Sequence, residues 1–154
     1  MSGDPYRGGP DPVCPACSSA MRRFGQRLCC DPCDGIFLTI ADLARSIDEL
    51  VHLEPAVVIA GARPGKRSCP TCSDTMALCQ VELAMLAQVV RPRVELDHCA
   101  AHGLWFDGGE LADLFLAVER KFSTGGSSGP GGSGSSGSGF DGPLGSYGKF
   151  NAPP

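Results

Sequence analysis

The stretch DHCAAHGLWFDGGEL, residues 97–111, carries two histidines, a cysteine and the only tryptophan of the chain, and it ends in an acid-Gly-Gly-acid turn. Such a density of ligand and acid-base side chains fits either a catalytic centre or a clamp that holds a small fold together. Whether the chain holds a second copy of the pattern separates the two.

It does. Cys14-Pro-Ala-Cys17 is followed by Cys30-Asp-Pro-Cys33, and Cys69-Pro-Thr-Cys72 is followed by Cys99-Ala-Ala-His102. Each half opens with Cys-Pro-x-Cys and closes with a second pair at the same spacing. A glycine and an apolar-aromatic run come next, Gly35-Ile36-Phe37-Leu38-Thr39 in one half and Gly103-Leu104-Trp105-Phe106-Asp107 in the other.

The spacing points to zinc. A Cys-x-x-Cys turn puts two sulfurs on one side of a tight loop, and two such turns supply the four ligands of a tetrahedron. Thiolates select soft or borderline metals over magnesium or calcium, although a four-cysteine site accepts iron as well as zinc. The expected ligands are Cys14, Cys17, Cys30 and Cys33 for one ion, and Cys69, Cys72, Cys99 and His102 for a second, two Zn²⁺ per chain. Each half is about 40 residues, near the size at which a hydrophobic core alone stops sufficing. Structural zinc contributes on the order of 10–16 kcal/mol of apparent binding energy in small finger peptides, enough to decide whether such a unit folds.

An amphipathic helix is expected after each aromatic run. Thr39 with Asp42, and Asp107 with Glu110, have the spacing of capping boxes, in which an N-cap acceptor and a carboxylate three residues on satisfy each other's backbone N–H. Leu43, Ile47, Leu50 and Val51 form one apolar stripe, and Leu111, Leu114, Phe115, Val118 and Phe122 the other. Phe37 and Trp105 occupy equivalent places and are expected to cover the metal and pack on the helix that follows. The glycine after each second pair is expected to relax the backbone beside the metal. The longer insertion of the second half, including MALCQVELAMLAQVV and Val94-Glu95-Leu96-Asp97, is read as strand.

These readings give a small α+β metal-bound fold with the following organisation. Residues 1–12 are a flexible start, 13–54 the first metal unit with its helix, and 55–68 a linker rich in turn residues. Residues 69–122 form the second unit, and 123–154 a disordered tail. The tail opens on STGGSSGPGGSGSSGSG, which has no apolar surface to offset its chain entropy. Of the nine cysteines, Cys79 is expected to be a buried small hydrophobe and Cys29 a spare thiol beside Cys30. His98 is expected at the surface, and His52 at a helix end.

The net charge of −4 is spread along the chain without a basic stripe, which disfavours nucleic acid held by bulk electrostatics. The start lacks the build of a secretory signal. No run approaches the ~20 apolar residues that span a bilayer. The expectation is a cytoplasmic protein, where thiols stay reduced. His98 and His102 are spaced as in the zinc-protease helix motif, but the glutamate beside the first histidine is missing and Gly103 breaks the helix. A catalytic zinc keeps an open position, whereas each half here offers four ligands. No catalytic residue is assigned.

The second copy, from Cys69-Pro-Thr-Cys72 to Cys99-Ala-Ala-His102-Gly103-Leu104-Trp105-Phe106-Asp107-Gly108-Gly109-Glu110-Leu111, resembles a zinc-ribbon family of bacterial proteins named for its likeness to the ribbon of transcription factor IIB. The first copy, Cys14 to Leu43, is more degenerate: Phe37, Thr39 and Asp42 stand where the pattern has Trp, Asp and Glu. The resemblance implies tandem zinc ribbons and says little about activity. The expected role is a non-enzymatic scaffold or regulatory module with a protein partner. Two other readings are carried beside it. One is nucleic-acid binding through Arg22, Arg23, Arg27, Lys66, Arg67, Arg91 and Arg93. The other is a zinc-thiolate redox sensor with Cys29 as resolving thiol.

Overall fold

The computed structural model describes residues 11–123. The first half supplies β1 (Arg22–Phe24), β2 (Arg27–Cys29), β3 (Ile36–Leu38) and helix α1 (Ile40–Val51). The second supplies β4 (Ala56–Ser68), β5 (Thr75–Met85), β6 (Gln88–Val90), β7 (Glu95–Cys99), β8 (Gly103–Phe106) and helix α2 (Glu110–Ser123). The expected tail from 124 onward lies outside the described residues.

The halves are fused into one antiparallel sheet. Its order is β1-β2-β3-β8-β7-β5-β4, with β6 pairing β5 beside β7. The seam is β3 on β8, in the register Ile36↔Phe106, Phe37↔Trp105, Leu38↔Leu104. That register sets each aromatic of the repeat opposite its counterpart, as a two-fold axis through the Phe37–Trp105 pair would. The two copies therefore meet as an isologous pair inside one chain.

Strand alternation divides the sheet into two faces. Leu38, Leu104 and Phe106 point to the helix side, where they pack with Leu43 and Ile47 of α1, Leu114 and Val118 of α2, and Cys79, Val81 and Leu83 of β5. Phe37 and Trp105 point to the other side and pack with Cys14, Cys30, Cys69, Cys99, Met21, Leu28 and Met76. The aromatics thus cover the metal side, but they do not pack on the helices as expected. A side chain one place along a strand points the opposite way, so Leu38 and Phe106 meet the helices instead.

Residues 55–68, expected as a linker, hold the longest strand. Val57, Val58 and Ile59 pair with Leu83, Glu82 and Val81 of β5. The turn residues survive within it because β4 is an edge, bonded on one side only, and Gly61 and Pro64 sit at shifts in register. Of the expected flexible start, residues 1–10 lie outside the described residues, and the end of it is held in place. Pro12 is buried and its carbonyl accepts the Met21 N–H at 2.9 Å. Among the described residues no helix is long and apolar enough to cross a membrane.

The insertion forms β5, β6 and β7, with β7 starting at Glu95, one residue later than the expected strand at Val94. Its β5–β6 turn places Leu86 and Ala87 at φ 45° and 59°, a primed hairpin turn built from residues that disfavour it. The left-handed region costs an ordinary L-residue about 1–2 kcal/mol. The double change Leu86→Asn and Ala87→Gly should therefore raise stability by about 1 kcal/mol, read as a higher Tm by calorimetry. It also removes a leucine side chain from an exposed position.

Candidate metal centres

Four knuckles carry the eight expected ligands, and each is shaped by its backbone. Cys14 N–H donates to Ser19 O at 2.8 Å and Ser18 N–H to Cys14 O at 2.9 Å. The second half repeats this: Cys69 N–H donates to Asp74 O at 2.8 Å, and Ser73 N–H to Cys69 O at 2.9 Å. The residue after the second ligand lies at positive φ in every knuckle: Ser18 at 63°, Asp34 at 57°, Ser73 at 65° and Gly103 at 142°. Backbone amides then reach the first sulfur, Ala16 N–H on Cys14 Sγ and Thr71 N–H on Cys69 Sγ, both at 3.4 Å. Such bonds stabilise thiolates.

The ligand atoms converge. Cys14, Cys17, Cys30 and Cys33 form one group and Cys69, Cys72, Cys99 and His102 another, with the atoms of each group within 4.8 Å of one another. A tetrahedron with ~2.3 Å Zn–S bonds has edges of about 3.8 Å. Observed Sγ–Sγ separations are 3.6 Å for Cys14–Cys33, 3.4 Å for Cys17–Cys30 and 3.8 Å for Cys72–Cys99. His102 presents Nδ1 at 3.5 Å from Cys99 Sγ and 3.8 Å from Cys69 Sγ. These distances are far beyond the ~2.05 Å of a disulfide, and all nine cysteines are free. The donor sets fit two metal ions, with zinc the ion their chemistry favours.

Electrostatics point the same way. Burial pushes the Cys30 and Cys33 thiols up, and in the other group Cys72 is pushed up to about 11. For Cys72 the Asp74 N–H favours the thiolate, but burial and hydrogen bonds to Cys99 and Cys69 outweigh it. Hydrogen bonds from Ser19 and Cys30 hold Cys17 down at about 6. Burial opposes ionisation of Cys99, yet its bonds to His102 and to backbone leave it at about 7. Ionisation is thus favoured at Cys17 and Cys99 and resisted at Cys30, Cys33 and Cys72. A divalent cation removes that resistance, because a coordinating thiol is deprotonated outright.

Trp105 ties the second centre to the first. It lies three residues past His102, is fully buried, and lays its ring over Gly35, two residues past Cys33. A Cβ on Gly35 would sit 2.2 Å from that ring. Gly35 has no left-handed φ, so its role is space rather than the backbone freedom expected of it. Gly103 meets the first half in return, a Cβ there falling 2.2 Å from Leu38 O. Gly108 packs against Cys33 O in the same manner, with 2.7 Å for its Cβ.

Each capping box is half made, in complementary ways. Thr39 Oγ1 accepts the Asp42 N–H at 3.1 Å, while the Asp42 carboxylate turns to Arg27. Glu110 accepts the Asp107 N–H at 2.8 Å, while the Asp107 carboxylate takes the Trp105 Nε1–H at 3.1 Å and Arg67 at 2.8 Å. Arg67 also donates to Asp97 at 3.0 Å. Reading the chain as a repeat missed this network, because its hub, Arg67, lies in the supposed linker. Asp97 is 4% exposed, and its Oδ1 is the one buried side-chain polar atom without a partner among the described residues.

The remaining candidates fall outside the ligand groups. Cys79 is buried in the helix-side core, where burial pushes its thiol up to about 11. Cys29 and His98 each precede the third ligand of their half and are half-buried, so His98 is not at the surface as expected. His52 caps α1 at φ 55°, its N–H bonded to Asp48 O. No family profile, curated protein or solved structure matches the chain.

Proposed function

We propose that the chain is a two-zinc protein of tandem ribbon-type halves that serves as a protein-interaction or scaffold module and not as an enzyme. The closure of both ligand groups carries this reading. Four protein donors converge at each centre, and a tetrahedral zinc held by four protein ligands has no position for a water or substrate. Antiparallel strands between two knuckles, then one strand and a helix, recur in both halves, and this order supports the zinc-ribbon resemblance of the second copy.

The ion pairs count against the nucleic-acid reading. Arg22 is paired with Asp31, Arg27 with Asp42, Arg67 with Asp97 and Asp107, and Arg91 with Glu82. These cations are spent within the chain. Loaded centres of four thiolates, or of three thiolates and an imidazole, add roughly −2 and −1 to the charge, which disfavours phosphate backbones further.

Elemental analysis of the purified protein should give two zinc ions per chain. Removing them with a chelator should abolish the strand signal in circular dichroism. One ion per chain would confine the reading to half of it, and a folded protein without metal would sink it.

A further inference from the structure

We infer that the crevice between the two Cys-Pro-x-Cys knuckles docks an acidic segment of a partner protein, an inference that rests on the interaction-module reading above. The knuckles of the two halves face each other across a cleft of about 530 Å³. Pro15 and Ser18 line one wall and Pro70, Thr71 and Ser73 the other, with Arg23 and Lys66 beside them. The volume lies in the range of small binding clefts, about 300–1,000 Å³.

Charge selects the occupant. Arg23 and Lys66 are exposed and form no ion pair among the described residues, unlike the paired arginines elsewhere in the sheet. They come from different halves and meet only here. Arg67 also lines the cleft, but it is committed to Asp97 and Asp107. Asp11, on the same lining, is the one carboxylate there. The two sulfurs beneath, of Cys14 and Cys69, are 2% exposed and already take amide N–H bonds. Those bonds occupy the sulfurs, while Arg23 and Lys66 stand at the rim as the two cations of the lining without an ion pair among the described residues. Serine and threonine hydroxyls add donors for carboxylate oxygens.

A single nucleic-acid strand fits less well. Sequence-tolerant strand binding uses aromatic platforms, and no aromatic side chain lines the cleft. Phe24 is 66% exposed beside Arg23, but alternation sends it to the other face. Arg23 pairs with Leu28 on the metal side, whereas Phe24 pairs with Arg27, which reaches α1.

The test is fluorescence anisotropy of the zinc-loaded full chain with a short labelled Asp/Glu-rich peptide at low ionic strength. A Lys-rich peptide and oligo-dT serve as comparisons. Binding of the acidic peptide should weaken about tenfold or more in R23E/K66E, less in R23Q/K66Q, and not in R93E, whose exposed arginine lies outside the cleft. Zinc content and circular dichroism of each variant report folding separately. No binding by the wild type, or binding indifferent to R23E/K66E, overturns the proposal. So does oligo-dT binding through Arg23 and Lys66 in place of the peptide. A protein partner held by another face, unaffected by these variants, would remove the crevice and leave the interaction module standing. Loss of the two-zinc stoichiometry would remove both.

Discussion

Replacing Cys99 by Ser and His102 by Ala is expected to cost the chain both metal ions rather than one. The ligands changed belong to the second centre only, so independent halves would keep one zinc. The packing argues for coupling. β8 begins directly after His102, and its Trp105 ring lies over Gly35 beside the last ligand of the first centre. β3 has no partner on that side except β8. Leu38, Leu43 and Ile47 bury themselves against residues of the second half, Leu83, Leu104 and Phe106 among them. A first half alone would keep a three-residue strand at its open edge and a helix with half a core. The four intact cysteines of the first half would have to organise a unit of about 40 residues whose helix and seam strand had lost the apolar partners that bury them.

Native mass spectrometry during zinc titration of the metal-free protein gives the cleanest reading. Species with no zinc and with two should dominate at half saturation, with the one-zinc form scarce. Trp105 is the only tryptophan and is fully buried, so its fluorescence should shift in a single step with the second ion. In the Cys99→Ser, His102→Ala variant the tryptophan should stay solvent-exposed at zinc levels that saturate the wild type. An abundant one-zinc species, or one ion and a retained strand signal in the variant, would show that the halves fold separately.

The two groups that could hold a metal were legible from spacing alone, because a two-residue gap forces two donors onto one side of a turn whatever surrounds it. The strand character of Thr75–Met85 was legible from alternation, with Cys79, Val81, Leu83 and Met85 on one face. The strand at Ala56–Ser68 was hidden by Gly61, Pro64 and Gly65. An edge strand tolerates such residues, but a local reading takes them as a turn. The fusion of the halves depended on a signal that was present but unused. Leu104, Trp105 and Phe106 are consecutive large apolar residues, and a strand apolar on both faces must lie inside a sheet covered on both sides. One such strand cannot be central to a three-stranded unit that stands alone. Phe37 and Trp105 were placed as equivalents by the repeat. That equivalents pair with each other across the seam is a long-range fact that spacing does not contain.

The two partners of the ion pair that joins β4 to β7 should respond to mutation with opposite signs. Arg67→Ala removes the one cation bonded to Asp97 among the described residues, a carboxylate whose side chain is 6% exposed and whose Oδ1 already lacks a partner there. Breaking a fully buried pair from one side costs about 3–5 kcal/mol. Arg67 is itself a third exposed, water takes part of its place, and a loss of about 2–3 kcal/mol is expected. Asp97→Leu acts the other way. Burial pushes the Asp97 carboxyl up in spite of Arg67, so the fold disfavours its charged form. Replacing buried ionic groups by apolar ones of similar volume is often neutral or stabilising by about 1–4 kcal/mol. The repeat shows that a leucine fits. Leu28 pairs with Phe37 as Asp97 pairs with Trp105, and Leu28 is 4% exposed within the same metal-side cluster. Arg67 would keep its bond to Asp107, so the cap of α2 and the Trp105 Nε1–H bond stay in place. Denaturant unfolding of the zinc-loaded variants measures both changes. An Asp97→Leu protein less stable than wild type by 2 kcal/mol or more would mean that the carboxylate holds something the apolar side chain cannot, and the buried pair would then be structural in its own right.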